Sequence, residues 1–326
     1  MTIYVSEISY HKAQSTFERL NSETAYNFVP VAEDEDPLSA AIKDNQIQAF
    51  IADIYPYTGA LYKALPKGGI ITRYGVGHDS IDKDQASENG IHVANTPGVL
   101  DNAVAEHACW MIGSSARHLH TAHKSTVAGE WAPQGGVELR GRKVAILGFG
   151  RIGQELCKKL TYGFGMDVTG VDIRPEEDFA DLKESVGFSK YTTDRAAALA
   201  EADYVVLLMA VVPATKHIAN TEFFKAMKPS AILVNSARGA LVCENDLYDA
   251  LQDGTIAGAA LDVFEQEPYQ PQDAAKDLRS LSNILVTPHV GSNTEESNAA
   301  MAGTAAQNII TILEQGPDAC ANIVNR

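Results

Sequence analysis

Lys143-Val144-Ala145-Ile146-Leu147-Gly148-Phe149-Gly150-Arg151-Ile152-Gly153 joins an apolar run to three glycines spaced GxGxxG and the start of a helical pattern. The apolar run reads as a buried strand. The glycines that follow have separate physical jobs. Gly148 permits a tight turn, and Gly150 has no Cβ to keep the backbone away from a pyrophosphate. Gly153 lets the new helix lie close on the strand. The helix start offers unpaired N–H groups and the positive end of its dipole to phosphate. Asp172 ends the next expected strand 19 residues after Gly153, close to the ~20 at which a carboxylate reaches the ribose hydroxyls of a dinucleotide. It would repel a 2′-phosphate, so the cofactor expected here is NAD, with NADP less favoured. Arg174 works against that preference. Gly148, Gly150, Arg151, Ile152, Gly153 and Asp172 are the cofactor candidates of this turn.

Working outward, short apolar runs alternate with helix-length amphipathic stretches, the βαβ rhythm of a doubly wound parallel α/β sheet. Strands are expected at Thr2–Val5, Asn27–Val31, Gln48–Ala52, Ile70–Thr72 and Ile91–Ala94, with helices near 12–21, 37–44 and 58–65. One long helix is expected from Asn102 to His123, with Trp110 and Met111 packed in the core. A Gly/Pro-rich loop then leads to Lys143. Further strands are expected at Asp167–Asp172, Tyr204–Leu208, Ala231–Asn235, Gly258–Asp262 and Ile284–Thr287, then a last helix from about Asn293 to Glu314. Ser292-Asn293-Thr294-Glu295 reads as a capping box for that helix. The charged segment 265–276 reads as a surface excursion.

Composition excludes several roles. The 326 residues carry 26 basic and 42 acidic side chains, a formal net charge of −16. Such a field opposes a nucleic-acid backbone, and no Lys/Arg stripe overrides it. The apolar run at 204–212 is far below the ~20 residues of a membrane span. Neither nucleic acid nor membrane is an expected partner. The four cysteines form no CxxC pair, which fits reduced thiols and a cytoplasmic protein. His118, His120 and His123 are not expected to bind metal, because no nearby carboxylate completes a ligand set.

Three later segments put polar residues just after apolar runs: Asn235-Ser236-Ala237-Arg238-Gly239, Asp262-Val263-Phe264-Glu265-Gln266-Glu267 and Thr287-Pro288-His289-Val290-Gly291. In a doubly wound sheet ligands bind at the carboxyl ends of strands, so Arg238, Asp262, Glu267 and His289 can converge there. Their chemistry is complementary for reducing a 2-oxo acid. An imidazole donates a proton to the carbonyl oxygen, and a carboxylate on its far nitrogen fixes the tautomer. A guanidinium clamps the substrate's carboxylate.

Together with Tyr74-Gly75-Val76-Gly77-His78-Asp79, Asn95-Thr96-Pro97-Gly98, Ala103-Val104-Ala105-Glu106-His107 and Gly129-Glu130-Trp131, these motifs make the chain resemble the D-isomer-specific 2-hydroxyacid dehydrogenases. The resemblance implies Arg238, Glu267 and His289 as the catalytic set, with Arg238 on the substrate. It implies that the N–H groups of Val76 and Gly77 hold the substrate carboxylate. Asp262 would orient the nicotinamide, joined on the cofactor side by Ala237, His289 and Gly291. It also implies a Rossmann cofactor domain (101–291) inserted into a flavodoxin-like substrate domain (1–100 plus 292–326), and a homodimer. The segment Asp53-Ile54-Tyr55-Pro56-Tyr57 carries no cation for a phosphate, so the expected substrate is a small unphosphorylated 2-oxo acid or 2-hydroxy acid, with Tyr55 in its pocket. The alternative is an NADH-responsive binding protein resembling the C-terminal-binding-protein corepressors.

Overall fold

The computed structural model describes residues 1–326 and divides into two compact units, 1–100 with 293–326, and 101–292. The first holds five parallel strands: β1 (Thr2–Ser6), β2 (Asn27–Val31), β3 (Ala49–Ala52), β4 (Ile70–Arg73) and β5 (His92–Ala94). Their spatial order is β2-β1-β3-β4-β5, the flavodoxin-like arrangement. The second holds seven: β6 (Lys143–Leu147), β7 (Asp167–Val171), β8 (Lys190–Thr192), β9 (Tyr204–Leu207), β10 (Ile232–Asn235), β11 (Gly258–Leu261) and β12 (Ile284–Val286). They are ordered β12-β11-β10-β9-β6-β7-β8. The order reverses between β6 and β9, the crevice where a doubly wound sheet takes its ligand.

The central strands are apolar throughout because helices cover both faces of each sheet. All four residues of β3, β9 and β11 are buried. In the second unit two separate clusters form, one around Leu147, Leu207, Phe224 and Leu261 and the other around Ile146, Phe149, Leu156 and Val206. Phe149, the residue between the first two glycines, lies 5.4 Å from Phe188 and 5.7 Å from Phe179 in ring-centroid distance. It anchors the glycine turn to the core from below.

Several elements differ from their sequence-based boundaries. The strands expected to end at Asp172, Leu208, Asp262 and Thr287 each stop one residue earlier. The first helical stretch is two helices, Glu7–Lys12 and Gln14–Glu23, interrupted at Ala13 (φ −135°, ψ 35°). Helix Lys83–Glu88 and strand β8 carry too little apolar periodicity to be legible.

The long helix after Asn102 is also two, Asp101–Ala116 and Leu119–Val127, because His118 takes a left-handed conformation (φ 51°) that ends the first. Met111 is buried as expected, whereas Trp110 is 71% exposed. Asn102, Glu106 and Trp110 follow one another at four-residue spacing on the helix face away from the sheet.

The last helix runs from Glu295 to Gln315, and its cap is Thr294 rather than Ser292. The Thr294 side chain accepts the Ser297 N–H at 3.2 Å. Thr294→Ala should therefore cost about 1 kcal/mol, while Ser292→Ala should leave stability within a few tenths. Urea unfolding midpoints of the two variants check this.

Candidate active site

The site elements of the second unit are the residues just past the strand ends. Gly148 turns sharply with φ 93°, and a Cβ there would lie 2.6 Å from the Leu208 carbonyl carbon. The β9 end thus presses on the turn and forbids a side chain. Gly153 is closed in the same way, its would-be Cβ 2.6 Å from the Gly148 carbonyl oxygen, but nothing stands within 4 Å of the Cβ position of Gly150. This open space above Gly150, at the start of helix Arg151–Lys158, leaves room for a phosphate group. Ile152 is half-buried in the first turn of the helix, and Arg151 turns aside to Asp101 at 2.7 Å.

Asp172 leaves the ladder to accept the Phe149 N–H at 2.9 Å. Its carboxylate also binds the Arg174 guanidinium, with Nε at 3.2 Å from Oδ1 and the terminal nitrogen at 3.2 Å from Oδ2. Arg174 in turn lies over the Phe179 ring at 4.5 Å. Burial would raise the Asp172 pKa, but the Arg174 and Phe149 hydrogen bonds outweigh it and hold the carboxyl below its ordinary value.

The expected imidazole–carboxylate pair is formed. His289 Nδ1 lies 2.6 Å from Glu267 Oε2, which directs Nε2 away from the pair. Glu267 Oε1 accepts the Phe264 N–H at 3.0 Å, so the carboxylate is oriented at both oxygens. His289 itself has φ 54°, a conformation non-glycine residues rarely take. Its N–H donates to the Asp262 carbonyl at 2.8 Å.

Asp262 is 1% exposed. Its carboxylate accepts the Thr287 hydroxyl at 2.5 Å, the Val290 N–H at 2.9 Å and the Gly291 N–H at 2.8 Å. His107 Nε2 stands 3.3 Å away. Desolvation would raise this group's pKa, yet these partners hold it below the usual carboxylate range. The Asp262 carboxylate is thus committed to the loop that carries His289. The sequence carries no signal for these roles of His107 and Thr287. They lie 155 and 25 residues from Asp262 in sequence, and no local pattern relates them.

Arg238 follows Ala237, whose carbonyl accepts one of its guanidinium N–H groups at 2.8 Å. Asn235 braces the bend, accepting the Ala237 N–H at 3.1 Å and donating to the Arg238 carbonyl at 2.8 Å. A Cβ on Gly239 would lie 1.8 Å from the Phe264 carbonyl carbon. The segment bearing Arg238 is therefore packed backbone to backbone on the segment bearing Glu267. Glu265, expected on a solvated excursion, has a side chain only 10% exposed and meets His217 at 2.6 Å. His217, Glu244 and Glu265 were not foreseen as site neighbours.

In the first unit, Val76 and Gly77 are half-exposed at the turn after β4. The Asn95 amide donates to the Val76 carbonyl at 2.7 Å, which turns the peptide so that its carbonyl is occupied. Tyr55 is half-buried against Tyr57, at a centroid distance of 5.2 Å. Tyr57 and Tyr74 are core residues, 4% and 3% exposed. Asp53, which precedes the cation-free segment, is buried and paired with Lys12 at 3.1 Å.

Residues 109–291 match the family model described as the NAD binding domain of D-isomer specific 2-hydroxyacid dehydrogenases. A glyoxylate reductase of Pyrococcus furiosus is 39% identical over 273 residues, 77% of this chain and 74% of that protein. Another from Thermococcus onnurineus is 37% identical, covering 86% of this chain and 85% of its own. Among solved structures, an NADPH-dependent glyoxylate/hydroxypyruvate reductase from Sinorhizobium meliloti superposes with a TM-score of 0.83 at 29% identity, over 99% of this chain and 97% of that one. The glycine turn, the His289–Glu267 pair and these matches agree: the chain belongs to the D-isomer specific 2-hydroxyacid dehydrogenase family.

Proposed function

We propose that this enzyme reduces a small unphosphorylated 2-oxo acid of glyoxylate or hydroxypyruvate size to the D-2-hydroxy acid. The observation that carries the reading is the 2.6 Å contact between His289 Nδ1 and Glu267 Oε2. With that nitrogen held by a carboxylate, Nε2 is the atom that gives a proton to the substrate's carbonyl oxygen, and Glu267 stabilises the imidazolium beforehand. Arg238 supplies a guanidinium for the substrate's carboxylate and polarises its carbonyl. Val76 and Gly77 present N–H groups for the same carboxylate, and Tyr55 borders the pocket. The names of the relatives support a substrate of this class.

A dihydronicotinamide supplies the hydride when bound. Gly148, Gly150, Arg151, Ile152 and Gly153 form its phosphate cradle, and Ala237, Asp262, His289 and Gly291 line the nicotinamide side. NAD(H) is the proposed form, because Asp172 places a negative charge at the ribose position and holds the Arg174 guanidinium to itself. The acting unit is proposed to be a homodimer. Trp110, Val127 and Trp131 of the second unit are 71%, 74% and 90% exposed, a cost that a second copy covering them would remove.

Three outcomes test this. A panel of 2-oxo acids followed at the NADH absorbance band should show turnover with glyoxylate or hydroxypyruvate, and His289→Ala should lose about a hundredfold or more in kcat with NADH binding kept; equal rates in the variant would sink the assignment. Asp172→Ala should shift the ratio of kcat/KM for NADPH over NADH upward by about tenfold, since it removes the repelling charge and releases Arg174. Gly150→Ala should fold normally and lose NADH affinity, measured by fluorescence titration, whereas Gly153→Ala should be destabilised outright because its methyl meets the Gly148 carbonyl.

A further inference from the structure

Three chain segments meet beside the His289–Glu267 pair, and one side chain is common to them. Glu265 sits two residues before Glu267. Its N–H donates to Glu244 Oε1 at 2.7 Å, and its own Oε1 accepts the Glu244 N–H at 3.3 Å. Its other oxygen, Oε2, lies 2.6 Å from His217 Nε2. His217 has φ 50°, and its N–H donates to the Ala240 carbonyl at 2.8 Å. From there the 217–219 and 240–243 segments are laced by Ala219 N–H to Leu241 and Cys243 N–H to Ala219. Glu265 therefore ties the segment after Arg238, the loop after β9 and the segment carrying Glu267 into one polar unit.

The unit also holds a carboxylate that no substrate or cofactor role requires. Glu244 is 4% exposed, and its Oε2 has no hydrogen-bond partner. The charged and titratable groups facing it are Glu265, Glu267, His217 and Tyr269. Burying an ionised carboxylate beside two others is costly.

We propose that Glu244 and the His217–Glu265 pair are positioning residues for the acid/base pair. They fix the Glu267 segment against the Arg238 segment, and the charge on Glu244 sets how firmly His289 holds its proton. This rests on the reading of Glu267 and His289 given above. Burial, reinforced by Glu265 and Glu267 and opposed by the Glu265 N–H, pushes the Glu244 carboxyl up to about 7. Its charge thus appears within the working pH range. Once ionised, it favours the imidazolium of His289. Below that range Glu244 is neutral and the support is withdrawn.

The test compares wild type with Glu244→Gln, which keeps an acceptor for the Glu265 N–H but cannot ionise. The His289 ring-proton shift, followed by NMR from pH 5 to 9, should change at a pH about half a unit lower in the variant. Wild type should show a second inflection near 7 that the variant lacks. Melting temperature gives an independent reading. Folded Glu244 binds its proton more tightly than the ordinary carboxyl, so wild type loses stability relative to the variant as pH rises from 5 to 8. Identical His289 curves in both proteins overturn the proposal, and so does a variant that only melts lower at every pH. Should Glu244→Gln fail to fold, Glu265→Gln should lower the His289 midpoint in the same sense, and the wild-type inflection stands as its own check. A chain that shows these shifts but reduces no 2-oxo acid would keep the coupling and lose the reaction it is meant to serve.

Discussion

A carboxylate with almost no access to water must find its hydrogen bonds within the protein or give up its charge. Asp262 meets that demand with groups from two places. Thr287 and the N–H groups of Val290 and Gly291 come from beyond β12, and His107 from the helix Asp101–Ala116. His289 lies between Thr287 and Val290, so its position follows from the way Asp262 is satisfied. Its left-handed φ is held by the same loop. Moving the imidazole would strand at least one donor on a buried anion, at a cost of roughly 1–3 kcal/mol or more.

Why Asp172, Asp262 and Thr287 stand one position past the strand ends has the same root. In a parallel ladder every backbone group is committed to a neighbour, and side chains alternate into two covered faces. The first residue outside the ladder is free to turn its side chain along the strand axis. Asp172, Asp262 and Thr287 do this after β7, β11 and β12. The sequence places polar residues there because an apolar run ends there. Hence the glycine turn and the two sheets could be read from residue order, and the contact of Glu267 with His289 was implied by the family resemblance, though the runs themselves look one residue too long.

What was not legible depends on distance in sequence or on which side of an element faces out. Trp110 and Met111 are equally apolar neighbours, and only the packed sheet decides that Met111 goes in and Trp110 stays out. The helix break at His118 is a backbone choice with no local glycine or proline to announce it. Ser292 and Thr294 are both good caps, and the loop geometry after Gly291 chooses the second. Glu265 is the sharpest case. Its neighbours in sequence are charged and turn-forming, so its pattern is that of a solvated loop. Its partners Glu244 and His217 lie 21 and 48 residues away.

The formal charge of −16 would suggest a site hostile to an anionic substrate, but the carboxylates around His289 contribute little of that field. Glu267 is paired with His289 and Glu265 with His217. Asp262 is surrounded by N–H and O–H donors, and Asp172 is bound to Arg174. Glu244 holds its proton up to about 7. Apart from Glu244 once it ionises, each of these carboxylates is compensated within hydrogen-bond distance, so most of the surplus lies elsewhere on the protein. A shell of that kind is screened within about 8 Å at physiological ionic strength, whereas the short pairs inside are not. At the strand ends, then, the local pairs and not the overall composition set the field.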